Sequence, residues 1–303
     1  MKDNNVKDEK VMFSERSHAD NRLVVVFGAS GISGGYVLRA LRAAGFRTRA
    51  TTHSDSGARV IGGSADQVVH ADFSNVETIQ AALKGADAVY LIPPAMVGAE
   101  AQYAIAVARA AENEKVRKFV YVSVLHPHTP GLRHHMRKAE AEAAIRSTSL
   151  SWTILQPAMF AQVVYRSYGG NSPAGRIPIP FNPDRLFSLV DLRELAEVGV
   201  KSIAERGHEY ASYELSSTQG SMADMVRTIG RLRGLSLDPV QIRTFEVKLT
   251  PRLAARSPEG LADWHAMNEH YDRHGFLGNN NVMRMLLGRE PATFETIARS
   301  LAS

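Results

Sequence analysis

The chain has 303 residues, 44% of them hydrophobic and 22% charged, with 36 basic and 31 acidic side chains and a formal charge of +5. This is the composition of a globular chain large enough for one big domain or two modest ones, and it excludes fibrous, low-complexity and wholly disordered readings. Because there is no cysteine, disulfides, thiolate zinc sites, iron–sulfur clusters and cysteine nucleophiles are excluded too.

Residues 1–20 mix charges of both signs and lack the apolar core of a signal peptide, so a loose tail on a cytoplasmic protein is expected. After it, Leu23-Val-Val-Val-Phe27 is a short apolar run rich in β-branched residues, which predicts a strand buried on both faces of a parallel sheet. A glycine-rich turn follows, then a helix from about residue 34 with apolar residues at helical spacing, stopped by Gly45. Strands are predicted over 47–52, 67–70, 88–92, 119–122 and 152–155, with helices over 76–83, 100–113 and 136–146 between the later ones. The apolar runs at 23–27 and 88–92 are far shorter than the roughly 20 residues that cross a bilayer, so no membrane partner is expected.

Alternating strands and helices predict the α/β class, with a doubly wound parallel sheet of the Rossmann type. The expected division is a tail at 1–20, a dinucleotide-binding domain at 21–157, and a smaller, mostly helical substrate lobe at 158–303. Elements near 190–235, including a helix over 192–204, a strand over 210–215 and a capped helix over 221–233, are expected to return to the first domain. A Pro/Gly/Asn-rich stretch spans 169–183, an extended piece starts near 240, and a Gly-Asn turn lies at 278–281. The arginines are scattered, with no basic stripe interleaved with aromatics and no zinc-finger spacing, so no nucleic-acid partner is expected.

The turn Gly28-Ala-Ser-Gly31-Ile-Ser-Gly34 stands between the buried strand and the amphipathic helix. Gly28 permits a tight exit from the strand, Gly31 lets the backbone approach a pyrophosphate, and Gly34 allows the helix to pack closely on the sheet. Amides at the helix N-terminus then face the anion, with Ser30 and Ile32 completing the loop. At the tip of the second strand, Arg49-Ala-Thr-Thr-His53-Ser-Asp55 lacks the acidic residue expected at the ribose. His53, Arg59 and Arg49 offer cations there, which favours NADP(H) over NAD(H), although Asp55 can also turn inward. Asp72 and Phe73 after the third strand, and Pro93 and Pro94 after the fourth, are the further expected dinucleotide contacts.

The turn, Ala71-Asp72-Phe73, Gly85-Ala-Asp-Ala-Val-Tyr-Leu-Ile-Pro-Pro94, Lys118-Phe-Val-Tyr-Val-Ser123, Thr153-Ile-Leu-Gln-Pro-Ala-Met-Phe160 and Leu286-Leu-Gly-Arg-Glu-Pro-Ala-Thr-Phe294 together resemble the NmrA-like family of atypical short-chain dehydrogenases. The resemblance covers nearly everything after the tail. It implies either an NADPH-dependent reductase of quinones, dyes or related compounds, or a redox-sensing regulator that binds dinucleotide without turnover. The short-chain dehydrogenase pair places a Tyr four residues before a Lys. Here Lys138 holds the Lys position and His134 stands where the Tyr would be.

Counting back from Thr153, Lys138 also coincides with the lysine that the isoflavone-reductase-like branch of the family is thought to use in catalysis. His134, Lys138 and Glu142 share one helix face by their i, i+4 spacing. Beside a bound nicotinamide, Lys138 can contact the ribose and polarise a carbonyl, and His134 can deliver a proton, because an unperturbed imidazole titrates near neutrality. The alternative is a solvated Lys138–Glu142 pair on a helix surface. Ser123, at a strand end, is expected to hold a substrate oxygen or else to cap the loop. Met159 and Phe160 are expected to form a substrate wall, with Tyr165, Trp264 and Tyr271 as further aromatic candidates that can equally be core.

No metal site is expected. His126, His128, His134 and His135 lie in a proline-stiffened stretch, and the adjacent rings of His134 and His135 diverge by about 100° on a helix. His270 and His274 lack an obvious third ligand.

The expected activity is hydride transfer from NADP(H) to a small conjugated carbonyl, quinone or imine-like compound. Two alternatives are a dinucleotide sensor that docks a protein partner and a redox-neutral isomerase or cyclase of secondary metabolism. A homodimer is compatible with any of them.

Overall fold

A computed structural model describes residues 21–247 and 256–302; the expected tail at 1–20 lies outside the described residues. The first half alternates strand and helix, and α2 is an addition to the predicted elements: β1 (Leu23–Phe27), α1 (Gly34–Ala43), β2 (Arg47–Thr52), α2 (Asp55–Ile61), β3 (Gln67–His70), α3 (Val76–Leu83), β4 (Ala88–Leu91), α4 (Glu100–Asn113), β5 (Lys118–Val122), α5 (Arg133–Arg146) and β6 (Trp152–Pro157). With β10 (Ala211–Leu215) they build a seven-stranded sheet in the order β10-β6-β5-β4-β1-β2-β3. Every pairing in it is parallel. The order reverses between β1 and β4, which opens a crevice at the strands' C-terminal ends, where such sheets take ligands.

Strand periodicity explains the two cores. On β1, Val24 and Val26 face the layer that contains α1 and α7 (Leu192–Ala204), whereas Val25 and Phe27 face α3, α4 and α5. Ala88 and Tyr90 against Val89 and Leu91 repeat the division on β4, as do Val120 and Val122 against Phe119 and Tyr121 on β5. Continuous apolar runs are therefore what these strands require, because neither face meets water.

A third core lies beyond β6. It holds β7 (Met159–Phe160), α6 (Ala161–Ser167), β8 (Gly175–Ile179), β9 (Leu186–Val190), β11 (Thr218–Ser221), α8 (Met222–Arg233), β12 (Leu237–Gln241), α9 (Pro258–His274) and α11 (Phe294–Ala302), whereas α10 (Asn281–Leu287) returns to the first core through Met283 and Leu287. Strands β11, β9 and β7 form one small sheet, and β12 with β8 a second, so the lobe carries sheet as well as helix. Among the described residues no helix is long and apolar enough to cross a membrane.

Candidate active site

The glycine turn has the shape its sequence implies. Gly28 adopts φ +77°, and a Cβ there would lie 2.1 Å from the Ile92 carbonyl oxygen, so the loop crosses directly against the end of β4. At Gly34 a Cβ would lie 2.2 Å from the Ala29 carbonyl oxygen, which sets α1 tightly on the turn. Gly31 differs: it is exposed, and the nearest atom to a Cβ there is the Gly28 carbonyl oxygen at 3.2 Å. The turn is thus packed on its inner side and open over Gly31, and Ser30 and Ile32 beside it are partly exposed. This arrangement fits a pyrophosphate approached by backbone amides at the head of α1.

His53 is exposed just before α2, Asp55 in its first turn and Arg59 in its last turn. Arg49 does not join them. Its guanidinium donates to Gln67 and to the carbonyls of Ala82 and Lys84, where it caps the C-terminal end of α3. One Asp72 oxygen accepts from the Ser74 amide and hydroxyl, which holds the carboxyl below its usual range. Phe73 packs on the rings of Phe27 and Tyr103.

A cavity of about 370 Å³ lies at the C-terminal edge of the sheet. Ile92 and Pro93 line it after β4, Val122 and Ser123 at the end of β5, and Met159 and Phe160 on β7. Because Gly28 abuts Ile92, the glycine turn and the cavity share a wall. The opposite wall is one face of α9, presenting Trp264, Met267, Asn268 and Tyr271 at spacings of three and four. Tyr165 is not in this lining; it is buried in the lobe core. Pro94 is partly exposed and lies outside the lining.

The face of α5 that carries His134, Lys138 and Glu142 is buried, which overturns the solvated Lys138–Glu142 pair. Lys138 is 7% exposed; its Nζ lies 2.9 Å from Glu100 Oε1 and donates to the Val122 carbonyl at 3.2 Å. Glu142 instead accepts from the Ser123 hydroxyl, from Gln156 Nε2 at 2.8 and 3.0 Å, and from Arg146 at 2.8 Å. A fully buried carboxylate is tolerable because it is this well satisfied. Burial, reinforced by the charges of Glu100 and Glu142, pushes the Tyr121 hydroxyl well above its ordinary range, and Lys138 Nζ sits 5.6 Å from the Tyr121 ring centroid.

His134 lines the cavity, but its titration differs from the expectation. Burial, followed by the positive neighbours His135 and Lys138, pulls it down to about 2. It is therefore a neutral imidazole at neutral pH, able to make a hydrogen bond but not to act as an imidazolium acid. His135 turns away and bonds the His126 carbonyl through Nδ1 at 2.9 Å. Among the described residues no group of three or more His, Asp or Glu side chains is placed to hold a metal ion.

The model of the NmrA-like family matches residues 20–276. The chain belongs to the NmrA-like family. It is 26% identical over 287 residues to an NAD(P)H azoreductase of Xenophilus azovorans, covering 93% of this chain and 98% of that one. Among solved structures it shares its fold with the Citrobacter sp. triphenylmethane reductase complexed with NADP(H), at a TM-score of 0.76 and 20% identity over 92% of this chain and 100% of that one. The NADPH-dependent quinone oxidoreductase of Escherichia coli, complexed with NADPH, gives a TM-score of 0.75 at 20% identity with the same coverage.

In this NmrA-like chain the residue that sequence reasoning missed is Glu100. It heads α4 at the start of a stripe continued by Ala104, Val107, Ala108 and Ala111, all buried. An acidic residue in line with an apolar stripe is the signal of a buried charge in need of a partner.

Proposed function

We propose that the chain binds NADPH along its glycine turn and reduces a small, planar, conjugated acceptor such as a quinone, an azo or an imine-like compound. The observation that carries this reading is a lysine ammonium, all but buried, in the wall of an otherwise largely apolar cavity that abuts the turn. The azoreductase relative, aligned over nearly the whole chain, supports the same reaction class. His53 at the end of β2 and Arg59 in the last turn of α2, with no acidic side chain at the strand tip itself, support NADPH over NADH.

A nicotinamide, when bound, supplies the hydride. The protein contributes orientation, exclusion of water and electrostatics. Met159, Phe160, Trp264 and Met267 hold a flat acceptor in a dry space. Lys138 meets the negative charge that develops on the acceptor's oxygen or nitrogen, and donates the proton that neutralises it. Ser123 gives its own hydrogen to Glu142, so within the cavity its oxygen accepts rather than donates. Neutral His134, whose buried Nδ1 has no partner, is a further hydrogen-bonding group in the cavity lining.

The test is NADPH oxidation followed at the nicotinamide absorbance with a panel of quinones, azo compounds and aldehydes. Consumption above background is the expected result. Tight binding without consumption selects the sensor reading that the missing tyrosine favours. Lys138→Met should lower turnover by about 10²-fold or more while dinucleotide affinity stays within a few-fold; full turnover in that variant removes Lys138 from the chemistry.

A further inference from the structure

We propose that Glu100 is a positioning residue that aims the Lys138 ammonium into the cavity and fixes the cavity wall beside it. The proposal rests on the reading of Lys138 as the group that meets the reacting acceptor.

Glu100 is fully buried, and its two oxygens do different work. Oε1 lies 2.9 Å from Lys138 Nζ, while Oε2 accepts the Met96 amide at 3.2 Å. The Val122 carbonyl takes one ammonium hydrogen, while Glu100 Oε1 faces the ammonium as an ion pair outside hydrogen-bond geometry, so the carboxylate fixes where the ammonium stands and leaves it hydrogens for a guest. Met96 adopts φ +59°, unusual for a side chain of its size, and it lines the cavity. Its carbonyl is pressed from the other side by α9, where a Cβ on Gly260 would lie 2.4 Å from it. One carboxylate therefore holds both the lysine and the Met96 stretch of the cavity wall.

A fold staple is a poorer account of this pair. Buried ion pairs seldom stabilise a protein more than apolar residues of similar volume, although removing one partner is costly. A pair retained in a cavity wall is better explained by what it orients.

The experiment is a cycle of Glu100→Gln, Lys138→Met and the double variant in the full chain. It is read by NADPH turnover with 1,4-naphthoquinone, by NADPH affinity in calorimetry, and by denaturant unfolding of nucleotide-free protein. Glu100→Gln should lower kcat by about 10-fold or more, with KM and NADPH affinity changed by less than about two-fold. The double variant should be no slower than Lys138→Met alone. Without nucleotide, each single variant should be less stable than the double one, which leaves no unpaired charge.

If Glu100→Gln folds too poorly to assay, Glu100→Asp keeps the charge, withdraws the carboxylate by one methylene and should give an intermediate kcat. Full kcat in Glu100→Gln beside a slow Lys138→Met overturns the proposal, as do losses that simply multiply in the double variant. A fast Lys138→Met overturns the reading of Lys138 instead, and the two failures are distinct.

Discussion

At the scale of single residues, the glycine turn separates two roles that its motif runs together. Gly28 and Gly34 are glycines because backbone carbonyls occupy the space of a side chain, whereas Gly31 is exposed and a Cβ there would meet only the Gly28 carbonyl oxygen, at 3.2 Å. Gly31→Asp should therefore fold, with at most a small loss of stability as the Gly28 carbonyl gives way, and lose dinucleotide binding, because a carboxylate would stand against the pyrophosphate. Calorimetry with NADPH and an unfolding curve on the same sample check both halves; retained affinity would show that the phosphates lie elsewhere. The motif was fully legible in the sequence because its spacing is local. Glu100 was not, because its partner is 38 residues away and the only acidic neighbour visible to helical spacing was Glu142. Arg49 misled for a related reason: a cation near a strand tip gives no sign in sequence that a helix end will claim it.

At the scale of elements, α5 shows where periodicity fails. Its buried face carries His134, His135, Lys138 and Glu142, so no apolar stripe marks which side faces inward. The same face makes a prediction about pH. His134 is held down to about 2 and His135 to about 4, burial being the main cause in each, against about 6.5 in an unfolded chain. Both folded values lie below the unfolded one, so the unfolded chain binds more protons once pH drops below about 6.5. The stabilisation from keeping them neutral is complete above that pH and erodes as pH falls, through both residues down to about 4 and through His134 alone below it. Each can contribute a slope of up to about 1.4 kcal/mol per pH unit. Denaturant unfolding between about pH 7 and pH 5 should show this loss, and His134→Leu should remove roughly half of the slope; an undiminished slope would mean that His134 is not buried as described. The small sheets of the lobe escaped the sequence too. Strand β7 is two residues long and pairs with β9 across a long connection, so neither carries a local signal.

At the scale of the whole molecule, the parallel, doubly wound class was legible because parallel neighbours need crossovers, and α1, α3 and α4 left periodic marks between their strands. The position of the lobe was not, since its contacts run between distant segments such as Arg137 with Asp263 and Glu259. A molecule organised around a bound dinucleotide should be stabilised by it. At about 100 times the dissociation constant, NADPH should add about 2.7 kcal/mol and raise Tm by several degrees. NADH should give a smaller shift at equal concentration if His53 and Arg59 recognise the additional phosphate. No shift with either nucleotide would sink the cofactor assignment.

The four α9 side chains over the cavity, Trp264, Met267, Asn268 and Tyr271, sit on one helical ribbon, while the charged groups opposite belong to α4 and α5. One side of the cavity's shape is thereby stored in a different stretch of the gene from its buried charges. On the reductase reading proposed above, selection, or an engineer, can rewrite a single surface of one rod to change which acceptor fits and leave Lys138 and Glu100 untouched.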